Sequence, residues 1–184
     1  MTDETGGPAP RRGRRRLVSV AAGLVVAAGL GIGLTVSGLS GPQRAPAFSL
    51  PRLGGGSALS FPLTGAQARQ PVVLTFFASW CTPCLTELPT IARVARQEQA
   101  AHHGVVFVGV DGNDDPSSGL SFARHSGVSF AVGRDAASAV APKFDLVGYP
   151  DTVFIDGSGN VVGTVHGPVS RATLQNFVAR LSRT

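Results

Sequence analysis

The sequence predicts one α/β domain with a mixed central sheet flanked by helices. Three observations carry that reading. The runs "PVVLTFF" (71–77) and "GVVFVGVD" (104–111) are rich in β-branched and aromatic residues, as strands buried on both faces require. Between them, apolar residues recur at helical spacing, so the unit is strand–helix–strand, with parallel strands and a right-handed crossover. Near the C-terminus "DTVFID" and "NVVGTVHG" are joined by Asp156-Gly157-Ser158-Gly159, a hairpin signal that adds antiparallel strands. At 184 residues and 43% hydrophobic content, the chain can bury a real core.

The N-terminal segment comes first in chain order. Five arginines (Arg11, Arg12, Arg14, Arg15 and Arg16) fall within residues 1–16, and residues 17–41 carry no charge. Twenty helical residues span about 30 Å, one bilayer core, so 17–41 reads as a transmembrane anchor. Basic residues before the run and few after it place residues 1–16 in the cytoplasm. The expectation is a single-pass cell-membrane protein with an extracytoplasmic domain. A secretory signal ending at Ala45-Pro46-Ala47 is the alternative and would leave the domain secreted, but signal cores hold only about 7 to 15 apolar residues. Residues 42–47 then form a linker and 48–184 the folded domain. Within 48–184 ten basic and nine acidic side chains nearly cancel. Phosphate binding needs a basic patch on the folded surface, so nucleic acid is excluded as a partner.

Inside the domain, short extended pieces flank Gly54-Gly55-Gly56, where a hairpin fits. After the 71–77 strand, Leu88, Ile91, Ala92 and Ala95 mark one face of a helix ending near His102-His103-Gly104, with Pro89 expected to kink it. The acidic turn "DGNDDPSSG" leads from the 104–111 strand to a helix containing Leu120, Phe122 and Ala123. "VSFAVG" (128–133) is a short strand and "AASAVAPKF" (136–144) a short helix. Ser170 caps a last helix whose apolar face is Leu174, Phe177, Val178 and Leu181.

The chemistry is concentrated in "FFASWCTPCLTELP" (76–89), which holds both cysteines of the chain. Cysteines at i and i+3 have β-carbons about 5–6 Å apart on one side of a helix, close enough to open and close as a disulfide. Cys81, at the start of the helix, faces unpaired N–H groups and the positive end of the macrodipole, which favour its thiolate and make it the nucleophile. Cys84, one turn in, is more shielded and resolves the mixed disulfide. Pro83 suits a first helical turn because it needs no amide donor. A zinc site is short of ligands, since only the adjacent His102 and His103 are near in sequence. Covalent haem requires His where Leu85 stands. A purely structural bridge across two residues closes too small a loop to stabilise much.

These residues resemble the membrane-anchored, thioredoxin-like thiol–disulfide oxidoreductases of the TlpA/ResA type over roughly residues 45–182. The resemblance rests on "APAFSL", "FFASWCTPC", Glu87 and Pro89, "GYPDTVFIDGSGNVV" and the final helix. It implies a thioredoxin-like fold with a central insertion at 112–135, and a cis-proline facing the cysteines to guide substrate backbone. By position that residue is Pro150, preceded by Tyr149. It also implies an active-site role for Glu87, in proton relay or tuning of the thiols, and substrate contact by Trp80. Asp151 departs from the threonine usual after the cis-proline, and a carboxylate there is expected to raise the Cys81 pKa. His125 and His166 read as surface residues without a role.

The function so implied is disulfide reduction on client proteins with cysteine pairs, such as apocytochrome c during cytochrome c maturation, or copper-site proteins. A membrane thiol donor of the CcdA/DsbD kind would supply electrons, and no cofactor is needed. An oxidase of secreted proteins, using the same site in reverse, is the first alternative. A copper-binding assembly module is a second, though Met1 is the single methionine. A peroxidase would need a Pro-x-x-x-Thr-x-x-Cys setting, which is absent.

Overall fold

Six β-branched or apolar side chains in a row, Val72 to Phe77, are all buried, so this strand can only lie at the middle of the protein. The computed structural model describes residues 43–102 and 104–183. The expected cytoplasmic tail (1–16) and membrane anchor (17–41) lie outside the described residues, among which no helix is long and apolar enough to cross a membrane. Strands β1 (Phe48–Leu50) and β2 (Leu59–Phe61) form an antiparallel hairpin. Gly54, Gly55 and Gly56 all take positive φ in its connection, a conformation that side chains other than glycine resist.

The main sheet contains β3 (Val72–Phe77), β4 (Val106–Gly112), β5 (Ala131–Asp135), β6 (Asp151–Ile155) and β7 (Val161–His166), in the order β5-β4-β3-β6-β7. Strands β3, β4 and β5 are parallel, while β6 and β7 run antiparallel, so the sheet is mixed as expected. Helix α1 (Cys84–Ala101) follows β3, α2 (Pro116–His125) follows β4, and α3 (Arg171–Leu181) closes the chain. On one face Leu74, Phe76, Val108 and Val110 pack against Phe48, Phe61 and Phe144. On the other, Val73, Phe107 and Phe154 meet Ile91 and Val94 of α1 and Leu174, Val178 and Leu181 of α3.

Local signals explain most boundaries. Helix α1 runs through Pro89 and stops where His102 turns left-handed. Asp115 caps α2 by accepting from the amides of Ser117 and Ser118, and the Ser170 hydroxyl caps α3 through the Thr173 amide. The expected helix at 136–144 shrinks to one 3-10 turn, Ala141–Phe144. The cause is Asp135, whose carboxylate takes the amides of Ala139 and Val140 at 2.9 and 2.7 Å, and so removes the donors a helix would need. A cis Phe61–Pro62 bond also went unanticipated. Residues at the start of the described chain run beside the β6–β7 turn, with the Ala45 amide donating to Gly159 and the Val161 amide to Gln43.

Candidate active site

Cys81 and Cys84 form a disulfide with Cα atoms 5.3 Å apart. The helix starts at Cys84, so Cys81 sits in the preceding turn rather than in the helix itself. Its sulfur still faces the helix start, because the Cys84 amide points at Cys81 Sγ from 3.2 Å. Such a donor favours negative charge on that sulfur. Cys84 is fully buried and Cys81 4% exposed. Both pack with Phe77, Leu88 and Ala123, and Tyr149 leans on the same cluster.

The residues singled out from sequence converge here. The Tyr149–Pro150 bond is cis. Asp151 pairs with Phe76, which brings Pro150 level with the end of β3 and with the turn that carries Cys81. Trp80 is 56% exposed, donates its indole N–H to the Asn113 carbonyl at 3.0 Å, and stands edge-on to Tyr149 with ring centroids 5.5 Å apart. Leu85 and Val147 add exposed apolar surface on the same two segments.

Glu87 is not a solvated helix residue. It is buried, and its Oε1 accepts from the Val169 amide at 2.7 Å. Burial pushes its pKa up to about 7, the Val169 amide opposes that rise, and the charge of Asp151 adds to it. Asp151 does not hang free beside the thiols as its position suggested. Its two oxygens engage the Gly167 amide at 3.0 Å and His166 Nδ1 at 3.2 Å. His166, read as a surface residue without a role, is thus the partner of a buried carboxylate. His125 stays on the surface, bonded within its own helix to Ser121.

Sequence reading missed the opposite wall. Asp114, in the β4–α2 connection, accepts from both the amide and the hydroxyl of Ser79, at 2.5 and 2.8 Å, two residues before Cys81. Behind it Asp111 is wholly buried at the end of β4. The acidic turn "DGNDD" directly after a buried strand was the available signal. Among the described residues, no group of three or more His, Cys, Asp or Glu is placed to hold a metal ion.

A dithiol pair in a strand–turn–helix, opposite a cis-proline, can exchange disulfides with another protein. Comparison with known proteins agrees with this geometry. Residues 42–164 match the AhpC/TSA family. The chain belongs to that family. Among the relatives it resembles is a thiol:disulfide interchange protein, the DsbE homolog of Paracoccus denitrificans, 33% identical over 125 residues, 66% of each chain. The thiol-disulfide oxidoreductase ResA of Bacillus subtilis is 28% identical over 58% of this chain and 59% of its own. Among solved structures, a thiol:disulfide interchange protein of the thioredoxin family from Chlorobium tepidum superposes with a TM-score of 0.66 at 28% identity, over 78% of this chain and 98% of that one. This AhpC/TSA member is therefore a thioredoxin-like enzyme of the thiol–disulfide oxidoreductase class.

Proposed function

We propose that the protein is a membrane-tethered disulfide reductase, facing outward, for client proteins with cysteine pairs such as apocytochrome c or copper-site proteins. The sign of the charge around the disulfide carries the direction. Glu87, Asp114 and Asp151 all stand on segments that frame Cys81 and Cys84, with Asp114 holding the Ser79 amide and hydroxyl, Asp151 the Gly167 amide and Glu87 the Val169 amide. A negative surround disfavours the thiolate. Strong oxidants depend on a stabilised reduced form, so a pair that resists the thiolate favours its disulfide and gives electrons away. The Cys84 amide on Cys81 Sγ keeps enough thiolate for attack.

In the reaction, the Cys81 thiolate attacks one sulfur of the client disulfide and the other client sulfur leaves as a thiolate. Glu87 takes the proton of the Cys84 thiol. Cys84 then attacks the Cys81 sulfur, releasing the second client thiolate. Two electrons have passed to the client, and Cys81–Cys84 is the disulfide. A membrane thiol donor of the CcdA/DsbD kind restores the dithiol. Trp80, Tyr149, Leu85 and Val147 offer apolar contact to the client, and cis-Pro150 guides its backbone. The uncharged run 17–41 supports the tether, and protease digestion of intact cells tests it: a domain shielded from added protease overturns the outward placement.

Equilibration of the full chain with a thiol buffer, read by alkylation and mass, tests the direction. A potential at or below roughly −220 mV supports the reductase, while one near −120 mV makes the protein an oxidase. Cys84→Ser should trap the client as a mixed disulfide on Cys81. A trap formed by Cys81→Ser in its place would reverse the two roles.

A further inference from the structure

Asp111 occupies an unusual position for an acid. It pairs across the sheet with Phe77 of β3 on one side and Arg134 of β5 on the other. Helix α2 covers it at Gly119, where a β-carbon would lie 2.2 Å from Asp111 Oδ2, so backbone seals the carboxyl from water. Neither oxygen of Asp111 has a hydrogen-bond donor, and the adjacent Arg134 Nε is also without a partner. An ionised carboxylate in that setting is left unsolvated, which costs far more than a neutral acid.

The neighbouring Asp114 is placed differently. Its oxygens receive the amide and hydroxyl of Ser79, the hydrogen bonds of an ionised acceptor. The Asp114 side chain lies within hydrogen-bonding reach of Asp111, and two carboxyl groups so placed are both acceptors unless a proton lies between them. We propose that Asp111 and Asp114 share one proton and together position the Cys81 turn: Asp111 donates to Asp114, and ionised Asp114 grips Ser79. With the Trp80 indole bonded to the Asn113 carbonyl, three hydrogen bonds then tie residues 79–80 to residues 113–114. Asp111 and Asp114 are positioning residues, since neither touches the reacting sulfurs.

Other charged or titratable groups face the pair without replacing that proton. From β5, Arg134 donates to the Asp114 backbone carbonyl, not to either carboxylate, and Asp135 is engaged by the amides of Ala139 and Val140. Tyr149 directs its hydroxyl to Ser138. Burial and the neighbouring Asp114 hold the Asp111 pKa up to about 7, with Arg134 acting against them. As pH rises past that value the shared proton leaves, two like charges adjoin in a dry pocket, and the grip on Ser79 loosens. Cys81 thereby gains a pH dependence that neither the thiols nor Glu87 supply.

This inference rests on thiol–disulfide chemistry at Cys81 and is indifferent to the direction of electron flow. Its test uses the full chain as wild type, Glu87→Gln, Asp111→Asn and Ser79→Ala. In infrared difference spectra on the acid side of neutrality, Glu87→Gln should keep one protonated-carboxyl band, and Asp111→Asn should lose it. The midpoint potential plotted against pH should bend near neutrality. That bend should survive Glu87→Gln, shrink in Ser79→Ala and vanish in Asp111→Asn, whose amide is a permanent donor. Absence of the band in Glu87→Gln means that Arg134 holds an ionised Asp111 and overturns the proposal, even if Asp111→Asn does not fold. A bend unchanged in folded Asp111→Asn also overturns it. The band reports on the acid pair alone, so an oxidising potential would sink the reductase reading and leave this one standing.

Discussion

Glu87 and Asp111 lie on opposite walls of the disulfide, both buried and both held up to about 7, yet they are solvated in different ways. The Glu87 anion has the Val169 amide to receive it, and the neighbouring Asp151 is steadied by His166 and the Gly167 amide. The Asp111 anion has no donor at all. Similar pKa values therefore hide unequal roles. A group whose two charge states are both accommodated can take and return a proton during turnover, whereas one accommodated only as the neutral acid can hold a structure and release it. Burial sets the pKa, but the donors around the anion decide what the group can be used for.

The largest effect expected from this contrast is on stability against pH. Both folded pKa values lie above the unfolded ones, so between roughly pH 4 and 7 the native state binds protons that the unfolded chain has lost. Stability must then fall as pH rises through that window, by about 3 kcal/mol for each group at order of magnitude. Denaturant titrations should show Glu87→Gln and Asp111→Asn each flattening the slope, with the double variant nearly flat. Equal slopes in wild type and Asp111→Asn would mean that Asp111 is ionised throughout, and the contrast fails.

Next in size is Gly119→Ala. A methyl group there meets the Asp111 carboxyl, and overpacking of this kind costs about 1–3 kcal/mol. The Glu87 titration should stay in place, which carbon-detected NMR of the carboxyl can follow. The smallest effect belongs to His166→Ala. The pair with Asp151 is half exposed on the histidine side, so its loss costs under about 1 kcal/mol. It should nonetheless raise the Glu87 titration midpoint, because Asp151 loses its partner, and leave that of Asp111 alone. Movement of both midpoints would show the two walls to be one coupled network.

The parts of this protein that could be read from sequence are those whose cause is local. Strand β3 announces itself by its own composition, α1 and α3 by the period of their apolar faces, and the Cys81–Cys84 pair by its spacing. What escaped depends on contacts between distant residues. The resemblance pointed to Glu87, but its partner, the Val169 amide 82 residues later, has no signature in the local sequence. Ser79 and Asp114 meet across 35 residues. His166 acquires a partner only because the β6–β7 register sets it opposite Asp151. The shortened helix at 141–144 has a nearer cause: Asp135 is adjacent in sequence, but nothing in its identity declares that its side chain, and not a helix, will claim the next amides.

The edge-on contact of Trp80 with Tyr149 has an optical consequence. The chain contains one tryptophan and one tyrosine, and they stand together beside the disulfide. Excited at wavelengths where phenylalanine hardly absorbs, the protein therefore emits from within the active site. A disulfide is a quencher of such emission, so opening the bridge should brighten the protein without any label, and a docking client that covers the exposed indole should shift its colour to the blue.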